Sequence, residues 1–229
     1  MAFGQQRRVI YRFLATAAAV LLLAGVASAQ NRTTDTLADL VTNHQTLTLG
    51  DKVFSDFTFQ NSGLTSFDPS NIQVTLSIVG GTYFLTWDGN MSLTSSSGPI
   101  TADLLLGYTV TATGGLIDTI DASFTGSAQP SNGAFLAVDE TARDANGNVV
   151  GTTHLDSQHR SDSFPINPPQ RSLRVTKDIG FAISNANGGF VTISEIGQSF
   201  HQAVPEPATT MLFGSGLLSG VLYLRRRRR

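Results

Sequence analysis

The chain has 229 residues, 41% of them hydrophobic and 14% charged, with a formal net charge of −2 and no cysteine. The missing thiols exclude disulfide staples, thiolate metal centres and cysteine nucleophiles. Fifteen basic residues against 17 acidic ones leave no cationic surplus, so nucleic acid is not expected as a partner.

Residues 1–29 read as a signal peptide rather than as part of a fold. Arg7, Arg8 and Arg12 form a basic head, Phe13 to Val26 an apolar stretch rich in Ala and Leu, and Ala27-Ser28-Ala29 a small-x-small site for signal peptidase. Cleavage after Ala29 would leave Gln30 first. The Arg7-Arg8 pair invites a twin-arginine reading, but Val9-Ile10-Tyr11 fits that consensus poorly, which favours the general secretory route. Once the three arginines of this leader and the five of Arg225–Arg229 are set aside, seven cations face 17 acids lying between Asp35 and Glu206. The exported body is thus acidic, at about −10, and as a whole repels nucleic acid and anionic lipid.

Residues 30–203 are long enough to bury one core and are expected to form one domain. The pattern is β throughout. Ile72, Val74, Leu76 and Ile78 alternate with polar residues, as do Leu104, Leu106, Tyr108 and Val110. Leu173, Val175, Ile179, Phe181 and Ile183 do the same, with Lys177 as the one polar interruption. Further strands are expected at Leu47–Leu49, Val53–Phe59, Thr82–Trp87, Leu116–Phe124, Ala134–Thr141, Val149–Leu155 and Phe190–Ile196, and a short helical turn near Thr36–Leu40. Turn signals separate them: Asn61-Ser62-Gly63, Asp68-Pro69, Gly80-Gly81, Asp88-Gly89-Asn90, Gly114-Gly115, Ser131-Asn132-Gly133, Asn146-Gly147 and Asn187-Gly188-Gly189. Asn146-Gly147 is expected to supply both positive φ values of a hairpin tip. Ser157 to Gln170, with Pro165, Pro168 and Pro169, reads as a long surface connection. Eight to eleven short strands at this spacing predict a single antiparallel β-sandwich of jelly-roll type.

Little in this body looks catalytic. His44, His154, His159 and His201 show no zinc spacing. Asp144, Asn146 and Asn148 alternate as calcium ligands do but lack the downstream bidentate Glu, so a hairpin turn is the better account. Asp118 with Asp121, and Asp139 with Glu140, are the carboxylate pairs to weigh for glycoside hydrolysis. Neighbours on a strand point to opposite faces, and a solvated strand face explains Asp139 and Glu140 more simply. There is no Gly-x-Ser-x-Gly elbow and no phosphate-cradling loop. No cofactor is expected, and no metal. Trp87, Tyr83 and Phe84 are candidates for an aromatic sugar platform, Trp87 foremost, with burial in the core as the competing reading. Asn31-Arg32-Thr33 and Asn90-Met91-Ser92 match the Asn-x-Ser/Thr acceptor pattern.

The C-terminus, residues 204–229, has three parts. Val204-Pro205-Glu206-Pro207-Ala208 breaks any helix or strand, since proline lacks an N–H and restricts the residue before it. Ala208 to Leu224 is a run of 17 residues without a charge, about 25 Å as a helix and close to a thin bilayer core. Its Gly216 and Gly220 form a GxxxG pair. Arg225, Arg226, Arg227, Arg228 and Arg229 then hold that end in the cytoplasm by the positive-inside tendency. An ordinary tail anchor would share the apolar run and the arginines but has no reason to carry Pro-Glu-Pro.

This tail resembles the PEP-CTERM sorting signal of exported proteins of Gram-negative bacteria. The resemblance implies recognition of Val204 to Ala208 by an exosortase, a transient inner-membrane intermediate, and delivery to the cell surface or an exopolysaccharide-rich extracellular matrix such as a biofilm. Leu49-Gly50-Asp51-Lys52-Val53-Phe54-Ser55-Asp56-Phe57, Leu106-Gly107-Tyr108-Thr109-Val110 and Ala137-Val138-Asp139-Glu140-Thr141 further resemble an exported domain found among such proteins. That likeness implies an extracellular β-domain and carries over no active-site residue. The expectation is a non-enzymatic surface or matrix protein, with a surface-displayed carbohydrate-binding module as the alternative.

Overall fold

The computed structural model describes residues 31–128 and 133–203; the expected signal peptide and the tail from Val204 lie outside the described residues. Twelve strands build the described part: β1 (Thr34–Thr36), β2 (Leu47–Leu49), β3 (Lys52–Ser62), β4 (Gln73–Val79), β5 (Thr82–Ser95), β6 (Ile100–Ala112), β7 (Leu116–Ala128), β8 (Ala134–Arg143), β9 (Val149–Asp156), β10 (Ser161–Gln170), β11 (Ser172–Ile183) and β12 (Gly189–Ala203). They form two six-stranded antiparallel sheets. Sheet A runs β1-β4-β5-β12-β7-β10 and sheet B runs β2-β3-β6-β11-β8-β9. From β5 to β8 the chain changes sheet at each connection, and β10, β11 and β12 do so again, so the two sheets form one sandwich around one core.

The period of two in the sequence becomes the two faces of each sheet. Val74 and Leu76 of β4, Tyr83, Leu85 and Trp87 of β5, and Ile196 and Phe200 of β12 point inward from sheet A. Phe54, Leu104, Leu106, Tyr108, Val110, Val175, Ile179 and Phe181 answer from sheet B. Phe54, Tyr108, Trp87 and Phe200 pack with ring centroids 5.2 to 6.4 Å apart at the centre. A bulge in β3 places two residues, Asp56 and Phe57, opposite Tyr108 alone, with Asp56 at φ 53°. The bulge lets Phe57 join Phe54 inside, three positions on, where strict alternation would have sent it to solvent. Among the described residues one α-helix, α1 (Leu37–Thr42), begins where the Thr36 hydroxyl accepts the Asp39 N–H at 3.1 Å, and it buries Leu37 and Leu40.

Three local expectations are corrected. Ser157–Gln170 is not a surface connection throughout: Ser161–Gln170 is β10, paired to β7 and forming the edge of sheet A. An edge strand tolerates Pro165, Pro168 and Pro169 because one side of its backbone has no ladder to fill, and Phe164 and Ile166 still alternate into the core. Asp88-Gly89-Asn90 is no turn either. It lies inside the 14-residue β5, where Gly89 and Asn90 oppose Ser194 in a bulge. A Cβ on Gly89 would stand 2.8 Å from the Asn71 carbonyl oxygen, so glycine serves close backbone approach there. At the β8–β9 tip Gly147 (φ 86°) alone takes a positive φ, and Asn146 does not.

Candidate functional site

The inner faces hold charge as well as hydrocarbon. Lys177, read as an interruption in β11, faces the core and lies opposite Glu140 of β8 in register. Its ammonium pairs with one Glu140 oxygen, and the other accepts the side-chain N–H of Gln198, on β12 of the opposing sheet, at 2.8 Å. The ammonium also lies 5.6 Å from the Trp87 ring centroid. Burying an ion pair costs desolvation that only good partners offset, and these partners tie sheet B to sheet A. The Tyr108 hydroxyl beside them is buried without a partner; burial and the Glu140 charge push its pKa well up, so it stays protonated. Glu140 is therefore not on a solvated face, although Asp139, its neighbour, is.

A second buried lysine closes one end of the sandwich. Lys52 donates to Asp51 at 2.8 Å and lies 4.5 Å from the Tyr83 ring centroid. Asp51 also accepts the Gly115 N–H at 2.9 Å and the Gln202 amide at 2.6 and 2.7 Å. Burial alone would raise the pKa of Asp51, but the bonds from Lys52, Gly115 and Tyr83 outweigh it and hold the carboxyl well below its ordinary range. Burial lowers the pKa of Lys52, against the pull of Asp51.

On the outer face of sheet A, Asp121 of β7 accepts from Ser199 at 2.6 Å and pairs with His201 at 2.6 Å, both through one oxygen. Serine, histidine and aspartate are the components of an acyl-transfer triad, but here the carboxylate stands between the other two. The serine hydroxyl is bound to an acid rather than to the imidazole that would have to deprotonate it. This cluster ties β7 to β12.

The aromatic platform divides along the strand. Trp87 is 1% exposed and Tyr83 is buried, so the expected Trp87 sugar contact has no surface to work from; Phe84, between them in sequence, faces outward beside Ser77 and Ser199. A better-shaped surface lies on the outer face of sheet B. Phe135, 52% exposed, borders a shallow depression with Ser62, Thr101, Asp103 and Ala182 around it and Gly180 in its floor. A Cβ on Gly180 would meet nothing within 4 Å, so the space above it is open. In the next row Asp178, Asp139 and His154 stand opposite one another across β11, β8 and β9. Burial and the neighbouring Asp103 and Asp139 carboxylates raise the pKa of Asp178. The 2.6 Å bond that His154 makes to the Asp139 carboxylate, with the charge of that group, raises the pKa of His154. Sequence reasoning found Asp139 but not this row, because register across three strands brings its members together.

His44 lies at a left-handed φ of 49° after α1, and His159 pairs with Asp156 at 3.3 Å within its own loop. Among the described residues no three His, Asp or Glu side chains converge as metal ligands. The Asp144 carboxylate accepts the N–H groups of Asn146 and Asn148 and the Asn148 amide, all at 2.9 Å, which closes the hairpin tip on itself. Among the described residues no helix is long and apolar enough to cross a membrane.

Residues 203–229 match the PEP-CTERM protein-sorting motif, a mark of exported, surface-targeted proteins. No curated protein matches the chain. Among solved structures the sandwich overlaps the enzymatically active domain of bacteriophage CBA120 tailspike protein 4, at 14% identity over 62% of this chain and 19% of that one, with TM-score 0.30. It overlaps the glycosylation-associated Gap123 complex of Streptococcus agalactiae at 9% identity over 69% of this chain and 27% of that one, with TM-score 0.31. A fucose-binding module of Streptococcus pneumoniae overlaps at 11% identity over 52% of this chain and 70% of that one, with TM-score 0.24. The chain thus spans less than a third of the first two structures, and overlaps this loose say nothing of what it binds.

Proposed function

We propose that this is a non-enzymatic exported protein, carried through the membrane by residues 1–29, held by the tail as an inner-membrane intermediate, processed by an exosortase at Val204 to Ala208, and released to the cell surface or exopolysaccharide matrix. One observation carries the reading: the sorting motif begins where the last strand ends, at Ala203, so processing there would leave the sandwich intact. Mass spectrometry of the mature protein from its own host tests it. The expected product starts near Gln30 and lacks Arg225–Arg229; an intact C-terminus in a host with an active exosortase overturns it.

The second reading, display of a carbohydrate-binding module, is favoured by the sheet B depression. An exposed aromatic edge, an open glycine floor and carboxylates that accept hydroxyl protons are what a sugar ring needs for stacking and orientation. The host's exopolysaccharide, immobilised, should retain the mature protein, and Phe135→Ala should release it while Phe84→Ala does not. Equal retention of both variants would move the site elsewhere, and no retention of the unaltered protein would remove this reading.

A further inference from the structure

The two ends of the sandwich differ in what they expose. The end from which the tail departs is marked by Ala203, paired in register with Leu116. The β4–β5 turn after Val79, the β2–β3 turn at Gly50-Asp51, Arg171 and the β8–β9 tip share that end. The Asp51 carboxylate joins several of them, bonding both Gln202 of β12 and Gly115 of the β6–β7 connection. Four exposed apolar side chains ring this end: Ile78, Val79 at 68% exposure, Leu116 and Val149. Three exposed arginines lie there too. Arg171 bonds the Ala112 and Thr113 carbonyls at 3.3 Å, and Arg174 and Arg143 are register partners on the neighbouring strands. Of the seven cations in an acidic body, Lys52 and Lys177 are buried, and these three of the remaining five lie at the tail end. The acids of this end are Asp51, paired with buried Lys52, Asp144, which is turned into its own loop, and half-buried Asp118.

We propose that this end of the sandwich docks on an anionic phospholipid surface while the tail is still attached. Only Val204 to Pro207 separate the last strand from the uncharged run, a reach of at most about 14 Å, so the end cannot stand far from a bilayer that holds the run. Tethering at that length gives an effective concentration in the millimolar range, and weak contacts then suffice. Val79, Leu116 and Val149 supply apolar side chains for the headgroup boundary, and each arginine near anionic lipid adds about a fivefold preference. Docking would fix the orientation of the Pro-Glu-Pro segment at the surface where it is processed. This rests on the proposed membrane insertion of the tail, and the test separates the two.

Because the chain has no cysteine, Val79→Cys, Leu116→Cys and Phe135→Cys each accept one fluorophore. The full chain is reconstituted into phosphatidylethanolamine–phosphatidylglycerol vesicles carrying a quencher-labelled lipid. Flotation of all three with the vesicles, with quenching at positions 79 and 116 but not at 135, is the expected result. Arg171→Glu with Arg174→Glu should float equally while losing most of the quenching at position 79. Failure to float overturns the insertion of the tail and the docking with it. Flotation with equal quenching at positions 79 and 135, or with quenching unchanged in the arginine double variant or on phosphatidylcholine alone, overturns the docking only.

Discussion

The sandwich buries two lysines, and it satisfies them differently. Lys177 and Lys52 both point inward from sheet B, each meets a carboxylate, and each carboxylate is reached from sheet A by a glutamine of β12, Gln198 in one case and Gln202 in the other. At the centre, Glu140 has Lys177 and Gln198, while the Gln198 carbonyl and the Tyr108 hydroxyl nearby are left without partners. At the rim, Asp51 has Lys52, Gln202, a backbone N–H and contact with solvent. The cluster at the edge is therefore expected to add stability, and the one at the centre, with unpaired polar atoms beside it, to cost some.

The largest effect should come from breaking the central pair on one side. Glu140→Ala leaves an uncompensated ammonium in the core and should cost about 3–5 kcal/mol in urea unfolding, whereas Lys177→Met with Glu140→Leu should be neutral or stabilising. If the double variant loses as much as the single one, the central pair is not a net cost and the contrast with the rim fails. The rim should respond less to truncation and more to acid. Asp51→Asn should cost about 2 kcal/mol at neutral pH, the scale of bonds to a charged group. The carboxyl of Asp51 is held below its unfolded value, so its contribution is complete above about pH 4 and falls as the solution is acidified below that. Stability measured between pH 5 and pH 2 should therefore fall less steeply in Asp51→Asn than in the unaltered protein. The smallest effect should appear on the exposed face of sheet B. Asp178 has a raised pKa, so its ionised form is disfavoured in the fold and it weakens the protein at neutral pH but not once protonated. Asp178→Asn should stabilise by a few tenths of a kcal/mol at pH 7, limited by solvent screening, and by nothing at pH 3. A gain of equal size at both values would assign the effect to something other than charge.

Most strands could be read from alternation because each has one buried face, and Gly80-Gly81 is a two-residue turn as its dipeptide suggests, with φ 59° and 89°. β10 is hidden in the sequence because its three prolines carry the composition of a loop, while only two residues, Phe164 and Ile166, mark its inward face. The turn expected at Gly89 failed because glycine in a strand can serve close packing as well as reversal. Lys177 keeps the inward position that the alternation assigns it, but the burial of Glu140 is not legible, since its partners Lys177 and Gln198 are 37 and 58 residues away and only the fold brings them near. The Phe135 depression was illegible for the same reason: Asp103, Phe135 and Gly180 come from three strands that are neighbours in space alone.

The position of β12 sets a schedule. It is the last strand in the described chain, yet it lies between β5 and β7 in the middle of sheet A, supplies Ile196 and Phe200 to the core, and gives Gln198 to one charge cluster and Gln202 to the other. Until it arrives, β5 and β7 each present a bare edge, and Glu140 and Asp51 each lack their glutamine partner, so the chain has no finished core to rest in. A polypeptide that leaves the cell N-terminus first would stay threadable until almost all of its body had crossed. It would then lock as its final strand emerged, just ahead of the segment that matches the sorting motif.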